Sequence, residues 1–238
     1  IAESWVISPV MGGVCAAGFL WFIKARIIHR PDKIAAALVW VPVLVGIMAG
    51  TFAAYLALKG LNRVLDISLG MALTIGAALG LAIWLVMIPV IRRQSRGLEN
   101  RNKSLKVLFG IPLVISAALL SFAHGANDVA NGVGPLAAIV HASQSGAVSE
   151  SVGLPLWVMM IGALGISFGL FLFGPKLIRM VGSQITKLNP MRAYCVALSA
   201  AITVILASWL GLPVSSTHIA VGAIFGVGFF REWDAERR

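Results

Sequence analysis

The sequence predicts an all-α polytopic membrane protein, and three observations support this prediction. Of the 238 residues, 59% are hydrophobic and only 12% are charged, whereas a soluble domain averages about 25% charged residues. Apolar stretches of roughly 20 residues, the length of a membrane-crossing helix, recur along the chain. Basic residues collect between these stretches. The composition therefore excludes a water-soluble globular enzyme, and its hydrophobicity excludes a disordered chain.

The apolar stretches fall into two kinds. Five of them are uninterrupted and predict simple spans, at 5–23, 34–58, 67–91, 154–172 and 193–210. Two more, at 107–140 and 209–230, each contain a polar motif. Cys15 and Cys195 both lie in or beside apolar stretches, which indicates no disulfide framework.

The positive charges predict the topology. The segments 24–33, 59–66, 92–106, 141–153 and 173–192 contain four, two, six, zero and four Lys or Arg residues. Because short basic loops stay in the cytoplasm, we expect segments 24–33, 92–106 and 173–192 to be cytoplasmic. The segment 107–140 must then cross the membrane an odd number of times. The tail 231–238 mixes acidic and basic residues, so its side stays open.

The net charge of +10 is therefore interpreted as a topology signal. A basic run such as 92–106 is able to bind nucleic acid or anionic lipid, but the simpler interpretation is preferred, and no nucleic-acid partner is predicted. The same run divides the chain into three parts: three transmembrane helices in 1–91, a basic cytoplasmic loop at 92–106, and a half that contains both polar motifs, 107–238.

The first polar motif lies within 121–135. Asp128 is the single acid inside an apolar segment, where a carboxylate costs about 2.5–3.5 kcal/mol and is by default functional. Asn127 and Asn131 are four residues apart and share a face of a helix. Glycines 125, 132 and 134 and Pro135 weaken a helix here, which predicts a discontinuous helix whose exposed backbone groups form a site. The alternative is a packing helix with Asn contacts and close-approach glycines.

The second polar motif lies within 211–218. Pro213 suits the first turn of a helix, and Ser215, Ser216 and Thr217 then place three hydroxyl groups beside its unpaired amides. A helix N-terminus attracts anions, so this motif predicts an anion site. The alternatives are a simple serine cap or hydroxyls that bond back to the helix.

The remaining sequence features indicate helix packing and predict neither a metal site nor an enzyme active site. The pairs Gly46/Gly50, Gly76/Gly80, Gly165/Gly169 and Gly222/Gly226 have GxxxG spacing and predict close helix contacts. His124 and His218 are interpreted as satisfied helix-end residues, so no metal site is predicted. Asp128 and two histidines are too few groups for an acid–base pair at membrane depth, so no enzyme is predicted.

The first motif, Phe122-Ala-His-Gly-Ala-Asn-Asp-Val-Ala-Asn131 followed by Gly134-Pro-Leu136, resembles the signature of the inorganic phosphate transporter family. The second, Leu212-Pro-Val-Ser-Ser-Thr-His218, is similar to that family's other conserved stretch, with Ser216 where Thr is common. The resemblance implies an inverted-repeat transporter with discontinuous or re-entrant helices. Family members contain the signature twice and this chain contains it once, so we expect the chain to cover mainly the C-terminal repeat.

The resemblance also implies residue roles. Asp128, Asn131, Ser215, Ser216 and Thr217 would bind phosphate, and Asn127, Asp128 and Asn131 would couple the cation. The implied protein is a secondary active transporter that imports inorganic phosphate by symport with Na⁺ or H⁺, without a cofactor. It would be a multi-pass protein of the plasma or inner membrane; the resemblance suggests a homodimer, and the sequence leaves the oligomeric state open. The alternatives are a permease for sulfate or another oxyanion and a non-transporting assembly or receptor subunit.

Overall fold

All elements in the described part of the chain are helices. The computed structural model describes residues 2–59, 68–145, 155–180, 188–209 and 215–236. The helices are α1 (Ala2–Ile23), continued by a π-helical turn (Lys24–Ile28), α2 (Lys33–Lys59), α3 (Leu69–Ser95), α4 (Asn102–Leu108), α5 (Gly110–Ser145), α6 (Leu156–Met180), α7 (Pro190–Trp209) and α8 (Ser216–Glu236). This confirms the predicted all-α class.

Five described helices are long and apolar enough to cross a membrane, and they correspond to the five simple spans expected from the sequence. They are Val6–Ile28, Lys33–Ala57, Leu69–Ser95, Leu156–Met180 and Pro190–Ala207. A sixth candidate is the bent pair Asn102–Leu108 and Gly110–Phe122, with a 42° angle between its two parts. The chain is therefore a multi-pass membrane protein.

Several helices extend into segments that the charges alone predict to be loops. The first span reaches Ile28, α3 reaches Ser95 and α6 reaches Met180. Only 96–101 separates α3 from α4 within the basic segment 92–106. Basic residues are favourable in the last turn of a helix because they interact with its dipole. A cluster of charges therefore does not mark the end of the helix in these segments.

Polar caps set the starts of several helices. The side chains of Asp32, Ser68 and Asn189 accept backbone N–H groups of the first turns of α2, α3 and α7, at 3.0, 3.3 and 2.9 Å. Such caps satisfy amides that the helix itself leaves unpaired. Pro190 then occupies the first position of α7, where its missing N–H costs nothing.

The described helices belong to two compact units. Unit 1 comprises 1–120 and 185–238, and unit 2 comprises 121–184. Inside unit 1, α2 packs against α3, while α1 packs against α7 and α8. Inside unit 2, Val133 and Ala137 of α5 form a buried cluster with Val158 of α6.

Glycines allow the closest helix contacts of unit 1. A Cβ atom added at Gly50 would lie 2.8 Å from the carbonyl oxygen of Gly76, and one added at Gly222 would overlap the backbone of Pro9. Three of the four predicted pairs, Gly46/Gly50, Gly76/Gly80 and Gly222/Gly226, therefore do mark close contacts. For Gly165/Gly169 no such contact is found within the described residues, because an added Cβ at either position meets no described atom within 4 Å. Helical spacing alone does not say which face of α6 has a partner.

Hydrogen bonds and an ion pair show which ends of unit 1 lie together. Asn100 donates to the carbonyl oxygen of Pro31 and accepts from the N–H of Lys33, at 2.8 and 2.9 Å. Segments 29–33 and 96–101 are thus at one end of the unit, as the alternation of charge predicts. Lys24 binds Asp234 at 2.7 Å, which brings the end of α8 to the same end. This assigns the side of the tail relative to the loops, which the sequence left open.

Candidate functional site

Asp128 lies near the middle of α5, inside unit 2. Its side chain is half-buried, and the helical backbone continues through positions 124, 127 and 131. The side chains of His124, Asn127 and Asn131 lie outside the described residues, as Pro213 does. The helical register nevertheless places positions 127 and 131 four residues apart, and positions 128 and 131 three apart, so these backbone positions share one side of the helix.

The discontinuous helix predicted inside the first motif is not found, because α5 is continuous from Gly110 to Ser145. Glycine lowers helix propensity by about 1 kcal/mol without breaking a helix. In a membrane, a broken turn would also leave backbone groups without partners, which favours the intact helix. The break lies upstream, at Phe109, where α4 and the first part of α5 meet at 42°. The number of times that segment 107–140 crosses the membrane stays a prediction.

Pro135 removes one backbone hydrogen-bond donor within this continuous helix. Proline has no N–H, so it removes the hydrogen bond that position 135 would donate to the carbonyl group four residues earlier. That carbonyl group belongs to Asn131, a residue of the motif. From its position in the sequence, Pro135 is expected only to weaken the helix. The four-residue offset from proline is the signal that points to the Asn131 carbonyl oxygen.

The glycines of the motif make no close helix contact within the part of the chain that the structure describes. A Cβ atom added at Gly125, Gly132 or Gly134 meets no described atom within 4 Å. Gly125 precedes Asp128 by three residues and Gly134 follows Asn131 by three, so both lie on the side of α5 that contains these two residues. Among the described residues, the predicted close-approach role of these glycines is therefore not seen, and the contacts of the Asn side chains lie outside the described residues.

The second motif forms the start of α8, inside unit 1. The Ser215 hydroxyl oxygen accepts the His218 N–H at 3.4 Å, and its carbonyl oxygen accepts the Ile219 N–H at 3.1 Å. Ser215 is therefore the cap residue, in agreement with the serine-cap alternative that the sequence allows. Ser216 is 4% exposed and Thr217 is exposed, and these two residues occupy the first two helical positions. The helix provides no acceptor for the amides of its first turn.

The two motifs lie in different compact units, so each is a local arrangement. α5 provides a carboxylate, two amide positions and a carbonyl oxygen whose usual helical donor is replaced by Pro135, all of which suit a cation. The start of α8 provides backbone N–H groups, hydroxyl groups and the positive end of a helix dipole, all of which suit an anion. Within the described residues, no group of three or more His, Cys, Asp or Glu side chains is placed to hold a metal ion.

A sequence model of the phosphate transporter family matches residues 1–238. The chain belongs to this family. The matched residues include both motifs, on α5 and at the start of α8. The family that the two motifs resemble is therefore the family to which the chain belongs.

Individual relatives agree with the family assignment. A Helicobacter pylori (strain ATCC 700392 / 26695) protein named "Putative phosphate permease" is 52% identical over 237 residues, covering 98% of this chain and 44% of the relative. The "Inorganic phosphate transporter 2-1, chloroplastic" of Arabidopsis thaliana is 35% identical over 273 residues, covering 100% of this chain and 44% of the relative. Both are named for transport and not for an enzymatic reaction.

A solved structure described as "The sodium-dependent phosphate transporter" has the same fold. Its TM-score is 0.86 at 33% sequence identity, covering 97% of this chain and 56% of that chain. The chain therefore spans about half the length of the family members that it matches.

Proposed function

We propose that this phosphate transporter family member is part of a secondary active transporter that imports inorganic phosphate together with a cation. The observation that carries the proposal is the start of α8, where Ser215 caps the helix and the hydroxyl groups of Ser216 and Thr217 follow at once. Phosphate is an oxyanion, and a helix N-terminus with hydroxyl donors stabilises such an anion.

The coupling cation is assigned to α5. Asp128 offers a carboxylate, Asn127 and Asn131 offer amide oxygens, and Pro135 leaves the Asn131 carbonyl oxygen without its helical donor. Oxygen ligands of this kind suit Na⁺, which is the ion in the name of the similar solved structure. Protonation of Asp128 in H⁺ symport is the alternative coupling mode.

Asp128 has a second role in this proposal, together with Asn131, in binding phosphate. A bare carboxylate repels an anion in a medium of low dielectric constant. A bound cation removes that repulsion, so the binding of the cation favours the binding of phosphate, and the reverse is also true. Phosphate keeps a proton near neutral pH and can donate it to Asp128, whereas sulfate has no such proton. This distinction favours phosphate over sulfate.

The proposal is tested by uptake of labelled phosphate into proteoliposomes that contain the full-length protein. We expect uptake under an inward Na⁺ gradient or a pH gradient, and little competition from sulfate. Ser216→Ala should raise the KM for phosphate by about ten-fold, since a hydrogen bond to a charged group contributes about 1.5–3 kcal/mol. Thr74→Ala is the matched control, because the Thr74 hydroxyl bonds to the carbonyl oxygen of Met71 at 2.8 Å. Absence of gradient-driven uptake, or equal transport of sulfate, would overturn the proposal.

A further inference from the structure

A second polar surface of unit 1 lies apart from both motifs, around the junction of α3 and α4. Segment 92–106 contains six basic residues and one acid, Glu99, which pairs with Arg101 at 2.8 Å. The other five basic side chains are exposed, and none forms an ion pair with a described residue. We call these five residues the basic surface: Arg92, Arg93, Arg96, Lys103 and Lys106.

Two other basic residues of unit 1, Lys24 and Arg26, have partners within the fold. Lys24 binds Asp234 at 2.7 Å and lies 5.1 Å from the ring centre of Phe230. Arg26 lies 5.6 Å from the ring centre of Trp40. The basic surface has no such contacts among the described residues. Its charges are therefore available to an external anion.

The basic surface is held in place by hydrogen bonds of its neighbours. The Gln94 side chain donates to the carbonyl oxygen of Val107 at 3.0 Å, which ties the end of α3 to the end of α4. The Ser104 hydroxyl donates to the carbonyl oxygen of Glu99 at 2.6 Å, which closes the intervening loop. Leu105 and Leu108 are fully buried and anchor α4. Since the backbone is already ordered, a ligand orders only the basic side chains when it binds.

An exposed apolar strip leads directly to this surface. Leu85 and Val86 of α3 are 53% and 58% exposed. Arg92 and Arg93 follow them by seven residues each, which is two helical turns and about 10 Å further along the same faces. On α4, Val107 is 47% exposed next to Lys106. An apolar strip that ends in unpaired cations matches a molecule with an acyl chain and an anionic head.

We propose that the basic surface binds the phosphodiester headgroup of an anionic phospholipid, whose acyl chain runs along Leu85 and Val86. Basic clusters next to membrane helices attract anionic lipids, and the attraction weakens as salt increases. Free phosphate would bind to the basic side chains but would make no contact with the apolar strip. This inference does not depend on the proposed transport activity.

The test measures which lipids stay bound to the full-length protein. The protein is equilibrated in micelles with equal amounts of dioleoyl-phosphatidylglycerol and dioleoyl-phosphatidylcholine, purified, and analysed by mass spectrometry. We expect at least a three-fold enrichment of phosphatidylglycerol. Arg92→Gln/Arg93→Gln should reduce the enrichment to near unity, while Arg92→Lys/Arg93→Lys retains most of it. Arg30→Gln/Lys33→Gln, which removes two charges at the same end of unit 1, should retain the enrichment.

Three results would overturn the inference. The first is no enrichment in the unmodified protein, and the second is unchanged enrichment in Arg92→Gln/Arg93→Gln. The third is release of the lipid by inorganic phosphate but not by chloride at equal ionic strength, which would identify free phosphate as the occupant. Thermal unfolding of each variant distinguishes a lost site from a lost fold, because exposed and unpaired arginines contribute little to stability.

Discussion

Lys24 and Asp234 form an ion pair of 2.7 Å that joins the first membrane helix to the end of α8. Nearer the N-terminal ends of the same two helices, Pro9 lies against Gly222 and Gly13 lies against Gly226. The contacts run in the same order on both helices, so α1 and α8 are parallel. The start of α8, with its hydroxyl groups, is therefore fixed in depth relative to α1.

The ion pair should contribute measurably to stability. The side chains of Lys24 and Asp234 are 15% and 24% exposed, so they are less screened than a surface pair. A double-mutant cycle with Lys24→Ala and Asp234→Ala should give a coupling free energy of about 0.5–1 kcal/mol in unfolding experiments. The Arg101–Glu99 pair, with side chains 74% and 70% exposed, is the control and should give no measurable coupling. Equal values for the two pairs would contradict this account.

The glycine contact between α1 and α8 should not tolerate a methyl group. A Cβ at Gly222 would overlap the backbone of Pro9, and overpacking of this kind costs about 1–3 kcal/mol. We expect Gly222→Ala to lower the melting temperature. In the control Gly165→Ala, the added methyl meets no described atom within 4 Å, so the higher helix propensity of alanine should leave the melting temperature unchanged or raise it. A similar decrease in both variants would refute the contact.

The two loops and the tail of unit 1 should be accessible from one side of the membrane. Asn100 bonds to Pro31 and Lys33, and Lys24 binds Asp234. In a Cys15→Ala/Cys195→Ala background, Asn100→Cys and Glu236→Cys should react with an impermeant thiol reagent from the same side. The positive-inside rule predicts that this side is the cytoplasm. Labelling from opposite sides would exclude the arrangement.

The open space beside Asp128 should be needed for transport but not for folding. A Cβ at Gly125 meets no described atom within 4 Å, so Gly125→Ala should leave the melting temperature unchanged or higher. Phosphate uptake should fall by about ten-fold, because the methyl group occupies space on the side of α5 that contains Asp128. Gly169→Ala, on α6, is equally uncrowded and should keep full uptake. Normal uptake by Gly125→Ala would show that this space is not part of the site.

Much of the fold follows from the sequence, since hydrophobic length determines the spans and basic residues mark their boundaries. The residues at which the helices end do not follow from the sequence, because α3 continues past Arg92 and Arg93 to Ser95. Charges at a helix end are stabilised by the dipole and reach out of the apolar layer without unwinding the helix. The bend at Phe109 does have a sequence signal, because Gly110 and Pro112 directly follow it and such residues often mark kinks.

The identity of the candidate site residues could be predicted from the sequence, but the backbone conformation of the site could not. Asp128 stands out because a carboxylate in an apolar segment is costly, and Ser215 to Thr217 stand out as consecutive hydroxyls. The sequence does not show that α5 stays helical through Gly125, Gly132 and Gly134. In lipid, the need to pair every backbone group outweighs the weak helix propensity of glycine. The assignment of these residues to phosphate and cation stays a prediction.

Asp128→Asn offers the most direct test of the central claim, measured as labelled phosphate uptake into proteoliposomes with and without a cation gradient. Glu99→Gln is the control, because Glu99 is an exposed carboxylate paired with Arg101. We predict that Asp128→Asn abolishes cation-dependent uptake and that Glu99→Gln preserves it. Undiminished, still cation-dependent uptake by Asp128→Asn would contradict the account.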